Sequence, residues 1–375
     1  MRIAYLAGWP GGPDTGPFKK IAEQCRLWQT LGADVGLFIL TTAEHEADWS
    51  AIPGVVDVTV RHGNAIALAG QKERLLRKAR AWAPDVLYHR YALAYPGLVA
   101  AVRRLPVVLE INTDDVSEYR LIAPKKAVLN QATRGLVLGR AAGLVAVTEE
   151  LAGLPTVRKY GRPTAVVANG IHLDSVRELP APSTERPTFA FIGQPDCPWH
   201  GVDKVVELAR ARGAWDFHVV GPDHAEVAAA AGTPPSNVHV HGLQTAERYM
   251  TILGQAHIGI ASLALHRKNM QEASPLKLRE YFAAGLPAIT AYRDTDFMAP
   301  VSFLLELPNV EDNIGPNLPT IDRFVASQYG SRVARAAIAH IDGVNKERQR
   351  LEFFGDATRL WRQPPSLSRD RSGSR

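Results

Sequence analysis

The 375-residue sequence has few of the residues that build disulfide frameworks or zinc sites. Its only cysteines, Cys25 and Cys197, lie far apart and form no Cys-x-x-Cys pattern. We therefore expect free thiols and a reducing, cytoplasmic location. The sequence also lacks a run of about 18 apolar residues, so we expect no membrane-spanning helix. The apolar run after Met1 is too short for a signal peptide and predicts a first strand instead.

Common nucleotide- and metal-binding patterns are not evident either. The glycine-rich segment 8–16 follows the first predicted strand, but it is neither a Gly-x-Gly-x-x-Gly fingerprint nor a Walker loop. This disfavours a Rossmann oxidoreductase. The segment can still bring the backbone close to a donor phosphate or an acceptor, with Gly11 and Gly12 as the expected points, and a flexible connection explains it about equally well. We see no cluster of metal ligands and predict neither a metal nor a bound cofactor.

The whole net charge of +5 falls in residues 1–175, because acidic and basic residues balance in 176–375. The basic residues are grouped in two segments, 72–80 and 125–140. Solvated helix faces are the simplest explanation. The alternative is attraction to an anionic surface, either at the inner face of a membrane, which the protein would contact peripherally, or on a phosphate-bearing acceptor. Nucleic-acid binding is less favoured because no recognition motif accompanies the charge.

Short β-branched runs alternate with helical patterns along the chain, which predicts an α/β fold of two doubly wound parallel sheets. We expect one domain over residues 1–175 and a second over residues 188–345. The proline-rich segment 176–187 predicts a linker between them. Residues 346–361 predict a closing helix, and the Ser/Arg-rich residues 363–375 predict a disordered tail.

The start of one predicted helix is suited to hold an anion. Ser274 is a good N-cap and Pro275 suits the first helical position, so we expect a helix over residues 275–284. Leu276 and Lys277 would then offer free backbone N–H groups at the positive end of the helix dipole, where phosphate binds readily. The segment thus predicts a phosphate site.

Two carboxylates, Glu272 and Glu280, stand on either side of this helix start. Glu280 is followed by an apolar stretch, in which a carboxylate needs partners, although a helical Glu is more often solvated. For Glu272 the simpler alternative is a carboxylate that complements the helix dipole. A sugar nucleotide fits this layout, since its sugar and its ribose lie at opposite ends of a diphosphate.

Three segments together resemble the retaining glycosyltransferases of family 4, which use the GT-B fold of two Rossmann-like domains. Glu272 and Glu280 form a Glu-x7-Glu pair, residues 167–172 are similar to the family's PNGVD segment, and residues 191–203 are similar to its glycine-containing loop. The resemblance covers about residues 165–290. It implies transfer of a sugar from a nucleotide-diphosphate sugar to a hydroxyl of a glycan, a lipid-linked acceptor or a small molecule, with retention and without a metal.

The resemblance also implies roles for single residues. Glu280 would hold the ribose hydroxyls, and Glu272 would contact the donor sugar and stabilise positive charge at its anomeric carbon. Asn112 stands near the position where many members have a His that binds the donor sugar. Asp114 and Glu118 are candidates to position an acceptor hydroxyl, although helix N-capping explains Asp114 as well.

The sequence departs from the family in the loop that begins at Gly193, where the backbone would approach phosphate. Family members have an Arg directly after this glycine and a Lys six residues later, whereas this chain has Gln194 and His200. His200 would serve as a cation only if the diphosphate raised its pKa. Lys277 is then expected to supply a missing charge, with Lys204 as a weaker candidate. The alternative is a nucleotide-sugar-binding protein of the same fold without transferase activity.

Overall fold

The computed structural model describes residues 1–9, 11–13, 15–42, 48–91 and 93–363. The predicted tail lies outside these ranges, apart from Gln363. Two parallel sheets and one two-stranded sheet form the framework. The alternation of strands and helices predicted from the sequence is therefore confirmed.

The N-terminal unit is built on a seven-stranded sheet with the order β3-β2-β1-β4-β5-β6-β7. Its strands are β1 (Arg2–Gly8), β2 (Asp34–Thr41), β3 (Val55–Val60), β4 (Val86–Arg90), β5 (Val107–Ile111), β6 (Gly143–Ala146) and β7 (Thr164–Val166). Every residue of β5 is buried, as expected for a central strand with helices on both faces. Because all pairs are parallel, the carboxyl ends of these strands meet at one edge of the sheet.

The C-terminal unit is built on a six-stranded parallel sheet with the order β10-β9-β8-β11-β13-β15. A separate two-stranded sheet pairs β12 with β14. The strands are β8 (Thr188–Ile192), β9 (Asp216–Val220), β10 (Val238–Gly242), β11 (Ile258–Ile260), β12 (Glu272–Ala273), β13 (Ala288–Thr290), β14 (Arg293–Asp294) and β15 (Leu304–Glu306). The two-stranded sheet places Glu272 next to Arg293.

Helices cover both faces of the large sheets. They are α1 (Gly16–Thr30), α2 (Ala65–Ala81), α3 (Pro96–Ala101), α4 (Asp115–Ile122), α5 (Pro124–Leu138), α6 (Glu149–Gly153), α7 (Pro155–Arg158), α8 (Val202–Ala211), α9 (His224–Ala231), α10 (Ala246–Gln255), α11 (Leu276–Ala283), α12 (Leu318–Gln328) and α13 (Gly343–Arg362). Short 3₁₀ turns occupy Leu173–Ser175, Pro198–His200, Leu265–Lys268, Gly315–Asn317 and Arg335–Ile341. In the described part of the chain, none of the helices has the length and apolarity needed to cross a membrane.

The last helix, α13, lies against the N-terminal unit. The buried Phe354 packs against Trp28 and Tyr88, with ring centroids 5.6 and 4.9 Å away. Glu347 accepts hydrogen bonds from Trp28 Nε1 at 2.7 Å and from Gln24 Nε2 at 3.1 Å. The end of the described chain is thus fixed to α1, while the domain limits at residues 175 and 188 stay predictions.

Candidate functional site

Helix α11 holds the end of strand β8. The N–H of Ile192 donates to Tyr281 Oη at 2.9 Å, and the Ile192 carbonyl accepts from Lys277 Nζ at 2.7 Å. The Lys277 ammonium also lies 5.3 Å from the centre of the Phe191 ring. Two side chains of α11 therefore fix the point where the 193–201 loop leaves the sheet, and one of them is a cation.

Gly193 lies where two backbone segments approach each other closely. A Cβ at this position would be 2.8 Å from Phe191 and 2.9 Å from Pro222, and a Cβ at Gly221 would be 2.1 Å from the Gly193 carbonyl oxygen. A larger residue would require a shift of the Phe191 and Pro222 side chains at Gly193 and a shift of the backbone at Gly221. Packing alone thus explains Gly193, and the approach of a phosphate to it stays a prediction.

His200 is a neutral hydrogen-bonding group in this structure. Its Nδ1 accepts from the backbone N–H of Gln194 at 3.0 Å, which leaves the proton on Nε2. Burial, with a smaller effect from Lys277 and Lys268, holds the pKa of His200 well below its usual range. His200 can therefore donate a hydrogen bond from Nε2, whereas its use as a cation still depends on a bound anion.

Lys277 is the titratable cation of the site. Burial lowers the pKa of its ammonium to about 7, and the neighbouring Cys197 and Glu280 oppose this shift. An anion bound beside Nζ would favour the charged form. The weaker candidate, Lys204, is buried and lies 2.9 Å from Glu311, so its charge is already compensated.

Helix α11 begins one residue later than the sequence predicts. Leu276 is its first residue, Pro275 occupies the N-cap position, and in the described structure no side chain caps the helix. The N-cap role expected for Ser274 was wrong because its hydroxyl is engaged elsewhere. Ser274 Oγ accepts from the N–H of Asn169 at 2.9 Å and from Arg279 Nη2 at 3.0 Å. Ser274 thus connects the helix start to the end of the N-terminal unit.

A buried ion-pair cluster lies against the start of α11. Arg279 donates to both oxygens of Asp294 at 2.9 and 2.8 Å, to Asp296 at 2.9 Å and to the Asn169 carbonyl at 2.8 Å. Asp294 and Asp296 form an Asp-x-Asp sequence that sequence reasoning missed. Their carboxylates are neutralised by Arg279, and among the described residues no group of three or more His, Cys, Asp or Glu side chains can hold a metal ion.

Glu280 is a half-buried carboxylate on α11. Its Oε2 accepts from Tyr249 Oη at 2.7 Å. Burial raises the pKa of the Glu280 carboxyl, while Tyr249 and the cations Lys19 and Lys277 oppose the shift. Lys19 belongs to α1 of the N-terminal unit and Lys277 to α11, so the carboxylate has one oriented oxygen and lies within electrostatic range of a cation from each unit.

Glu272 is engaged with the N-terminal unit. Its Oε2 accepts from the backbone N–H of Glu150 at 2.8 Å, and the Glu150 carboxylate accepts in return from the N–H groups of Glu272 at 2.7 Å and Gln271 at 2.8 Å. Glu272 Oε1 lies 3.3 Å from Arg293. This reciprocal pair joins β12 to α6. The expected contact of Glu272 with a donor sugar stays a prediction, and a sugar would have to share or replace these partners.

Lys268 is a functional candidate that sequence reasoning missed. Its Nζ donates to Thr113 Oγ1 at 2.9 Å and to Glu118 at 3.3 Å, and it lies 4.8 Å from the Trp199 ring centre. It therefore bridges the 193–201 loop and the N-terminal unit. The sequence feature that could have indicated Lys268 is the basic run 266–268, which lies shortly before Glu272.

Two predicted residues lie at the carboxyl end of β5 and just beyond it. Burial alone would raise the pKa of the Glu110 carboxyl. Lys20, Arg350 and, less strongly, the adjacent Asn112 side chain instead lower it. Asp114 is the N-cap of α4, where its carboxylate accepts from two backbone N–H groups at 3.1 and 3.3 Å. The capping explanation of Asp114 therefore holds, and a part in acceptor binding is not needed to account for it.

The glycine-rich segment after β1 is only partly described, since Pro10 and Asp14 lie outside the described ranges. Gly11 has a φ of +99° and its N–H donates to Thr42 Oγ1 at 3.0 Å. An added Cβ at Gly12 would meet no atom within 4 Å. Gly12 thus borders open space, and its predicted contact with the donor is neither required nor opposed by packing.

A cavity of about 740 Å³ opens at the carboxyl edge of the N-terminal sheet. Its walls include the ends of β1, β2, β4 and β5, with Asn112, Thr113 and Glu118 on one side. The last two of these contact Lys268. The cavity and the 193–201 loop therefore share one bridging side chain, which brings a second binding space next to the predicted phosphate site.

His89, in the wall of this cavity, should make folding stability depend on pH. Burial lowers the pKa of His89 to about 4, below the value of about 6.5 expected for an unfolded chain. The unfolded state then binds more protons, so stability is expected to fall by about 2 kcal/mol between about pH 7 and about pH 5 through this group. Urea unfolding of His89→Asn should show a smaller loss on acidification, whereas the exposed control His224→Asn should match the wild type. Equal pH dependence in all three proteins would contradict the prediction.

Comparisons with known proteins concern the fold. No family model matches the sequence, and no curated protein matches it. Sucrose-phosphate synthase from Thermosynechococcus elongatus is 13% identical, with a TM-score of 0.64 over 96% of each chain. The lipopolysaccharide outer core galactosyltransferase WaaB is 14% identical, with a TM-score of 0.63 over 95% of this chain and 99% of that one.

HepE from Anabaena, solved in complex with UDP-glucose, is also similar. It is 14% identical, with a TM-score of 0.63 over 95% of this chain and 100% of that one. At these identities the likeness establishes architecture alone, so membership of family 4 and the meaning of the Glu-x7-Glu pair stay predictions. The chain has the GT-B fold, with two Rossmann-like α/β units that face each other.

Proposed function

We propose that this protein is a glycosyltransferase that moves a sugar from a nucleotide-diphosphate sugar to a hydroxyl acceptor. The observation that carries the proposal is the position of Lys277, a buried cation held at the end of β8 beside the 193–201 loop. Among the described residues no carboxylate is hydrogen-bonded to Lys277 Nζ, and an anionic ligand beside a buried cation favours its charged form. The structural likeness to HepE, whose solved complex contains UDP-glucose, supports a nucleotide sugar as that ligand.

In this proposal the leaving diphosphate is stabilised by three kinds of donor. Lys277 contributes a charge, His200 contributes its Nε2–H, and the backbone N–H groups at the start of α11 contribute the positive end of the helix dipole. Lys268, which lies close enough to lower the pKa of His200, adds a second cation beside the loop. These groups would replace the Arg and Lys that the sequence lacks at Gln194 and His200.

The two motif carboxylates would act at opposite ends of the donor. Glu280, oriented by Tyr249, would accept hydrogen bonds from the ribose hydroxyls. Glu272 would contact the sugar after exchanging part of its contact with Glu150. Closure of the two units around the donor would exclude water and align the acceptor hydroxyl.

We further propose that transfer proceeds with retention and needs no metal, as in the family that the motifs resemble. A cytoplasmic location is favoured by the free thiols of Cys25 and Cys197. Peripheral contact with an anionic membrane is favoured by helix α5, on which the exposed Val128 and Leu129 lie next to Lys125 and Lys126.

A second candidate function is donor binding without transfer. It is favoured by the neutral state of His200, which removes a fixed charge from the loop. The two functions differ in a direct observable. A donor would raise the melting temperature in both cases, but only a transferase would release free nucleoside diphosphate in the presence of an acceptor or water.

Replacing Glu280 by Ala should weaken donor binding by about 10- to 100-fold, because a hydrogen-bonded carboxylate is lost from the ribose site. The donor is first identified by thermal shift with UDP-, GDP-, ADP- and TDP-sugars, and its affinity is then measured by calorimetry. Glu352→Ala, on an exposed part of α13, is the control and should bind normally. Glu272→Ala should retain donor binding but lose most transfer. Wild-type binding and transfer in both motif variants would refute the assignment.

A further inference from the structure

The 740 Å³ cavity is lined by more cations than carboxylates among the described residues. Four cations line it: Arg61 after β3, Lys72 on α2, Lys126 on α5, and Arg90 at the end of β4, which lies over the Trp9 ring. Burial lowers the pKa of Lys72, and the like charges of Arg61 and Lys126 lower it further. In the described part of the chain, none of these four side chains forms an ion pair with a carboxylate. Arg61 and Lys126 are exposed and Lys72 is half-buried, so their like charges meet at the wall of the cavity.

The acidic residues of the same wall are already neutralised by other cations. Asp115 is buried and accepts from Arg134 at 2.7 and 3.1 Å. Glu118 accepts from Lys268 at 3.3 Å and from Thr113 Oγ1 at 2.6 Å. A cavity with free cations and occupied carboxylates favours an anionic ligand over a neutral or a cationic one.

Two further polar groups of the wall lack partners among the described residues. Tyr95 Oη and His89 Nε2 are buried without a hydrogen-bond partner. Lys72 Nζ lies 5.1 Å from the centre of the Tyr95 ring. His89 donates from Nδ1 to the Leu6 carbonyl at 2.7 Å, so its Nε2 is an acceptor. The wall therefore offers a hydroxyl donor and an imidazole acceptor near the cations, as a hydroxylated ligand requires.

We infer that this cavity binds the acceptor of the proposed transferase and that this acceptor carries a phosphate group. The phosphate lies among Arg61, Lys72 and Lys126, which suits the charge and the hydrogen-bonding capacity of these side chains. The reacting hydroxyl points toward Thr113, the wall residue that Lys268 joins to the 193–201 loop. The volume suits a compound of roughly sugar-phosphate size or a phospholipid headgroup, since pockets for such ligands measure about 300–1,000 Å³.

The identification of the ligand as an acceptor rests on the proposed function, but the test of the phosphate site needs no sugar transfer. Inorganic phosphate is titrated by calorimetry into full-length protein that carries Lys277→Met, which removes a cation of the predicted donor site. We expect Lys72→Ala and Lys126→Ala to weaken phosphate binding about tenfold or more. The controls Arg74→Ala on α2 and Lys159→Ala after α7 remove the same charge outside the cavity lining and should bind within about twofold of the parent.

Phosphate binding that is equal in the cavity variants and their controls, or no binding to the parent, would overturn the inference. Melting curves check that all variants are folded. If the phosphate site is present but no nucleotide sugar binds, the inference about the cavity stands and the proposed function fails. If transfer occurs but phosphate does not bind in the cavity, the proposed function stands and the inference fails.

The source of the phosphate is decided by a second pair of measurements. Glycerol 1-phosphate is titrated as a free hydroxyl-bearing phosphate, with glycerol as its neutral counterpart. Vesicles of equal parts phosphatidylcholine and phosphatidylinositol are compared with pure phosphatidylcholine by co-sedimentation. Binding of glycerol 1-phosphate that is lost in Lys72→Ala indicates a soluble acceptor, and binding of anionic vesicles that is lost in Lys72→Ala but kept in Arg74→Ala indicates a lipid headgroup. If Lys72→Ala still binds both glycerol 1-phosphate and anionic vesicles as the parent does, the inference is contradicted.

Discussion

Replacing Lys277 by Met is expected to lower the rate of sugar transfer by about 10²- to 10³-fold while the protein stays folded. The Lys277 ammonium lies 2.7 Å from the Ile192 carbonyl, at the point where the 193–201 loop begins. Gln194 has no charge, and burial keeps His200 neutral by lowering its pKa. A leaving diphosphate would therefore lose its main cation. Single-turnover rates at saturating donor give the measurement, and replacing the exposed Lys159 by Met is the control.

The pH dependence of the same reaction gives an independent readout of Lys277. Burial lowers the pKa of its ammonium to about 7, so the free protein loses this charge as the pH rises through about 7. Because kcat/KM reports on the free enzyme, it should fall above about pH 7. Lys277→Arg keeps its charge at all these pH values and should remove the fall. An unchanged alkaline fall in the Arg variant, or a wild-type rate in the Met variant, would contradict this role.

The strands could be predicted from the sequence because their signal is local. Val107–Ile111 and Thr188–Ile192 are short β-branched or aromatic runs between turns, and the structure contains both as central strands. Two such series of strands predicted two parallel sheets. The order of the strands within each sheet depends instead on packing. The two-residue strands of the β12–β14 sheet were not predictable, since a strand of this length has no periodicity.

The candidate site could be predicted only where its residues share one segment. The start of α11 followed from Pro275 and Leu276 with an error of one residue. The N-cap prediction for Ser274 was wrong because Asn169 and Arg279 both donate to its hydroxyl, and Asn169 is distant in sequence. Local capping preference gives no information about such a contact. The same limit explains why the bond between Glu272 and the Glu150 N–H was not foreseen.

The absence of a fixed cation at Gln194 and His200 is offset in three dimensions by lysines from other elements. Positions 194 and 200 carry no fixed charge, but Lys268 and Lys277 both lie near enough to His200 to lower its pKa. Lys268 reaches this place because the turn Leu265–Lys268 packs beside the turn Pro198–His200. Charge near the predicted phosphate site is therefore supplied from other elements. Sequence spacing describes a single loop and cannot reveal this kind of replacement.

Replacing Arg279 by Met is expected to destabilise the protein by about 3–5 kcal/mol. The Arg279 side chain has no exposed surface, and neither has that of its partner Asp294. The variant would leave a buried carboxylate without its cation and would also release Ser274 and Asn169 at the start of α11. The midpoint of urea unfolding gives the measurement. Arg212→Met, which breaks a more exposed pair with Asp322, should cost less than about 1 kcal/mol.

The pH dependence separates the loss of charge pairing at Arg279 from a loss of packing. Burial already raises the pKa of the Asp294 carboxyl, and Arg279 opposes this shift. Without Arg279 the pKa of Asp294 rises further above that of the unfolded chain, so a bound proton reduces the cost at acidic pH and the destabilisation grows as the pH rises. The double variant R279M/D294N lacks the titrating group and should be more stable than R279M at neutral pH. A loss in R279M that is the same at every pH, and is not relieved in the double variant, would show that packing rather than the unpaired carboxylate determines the cost.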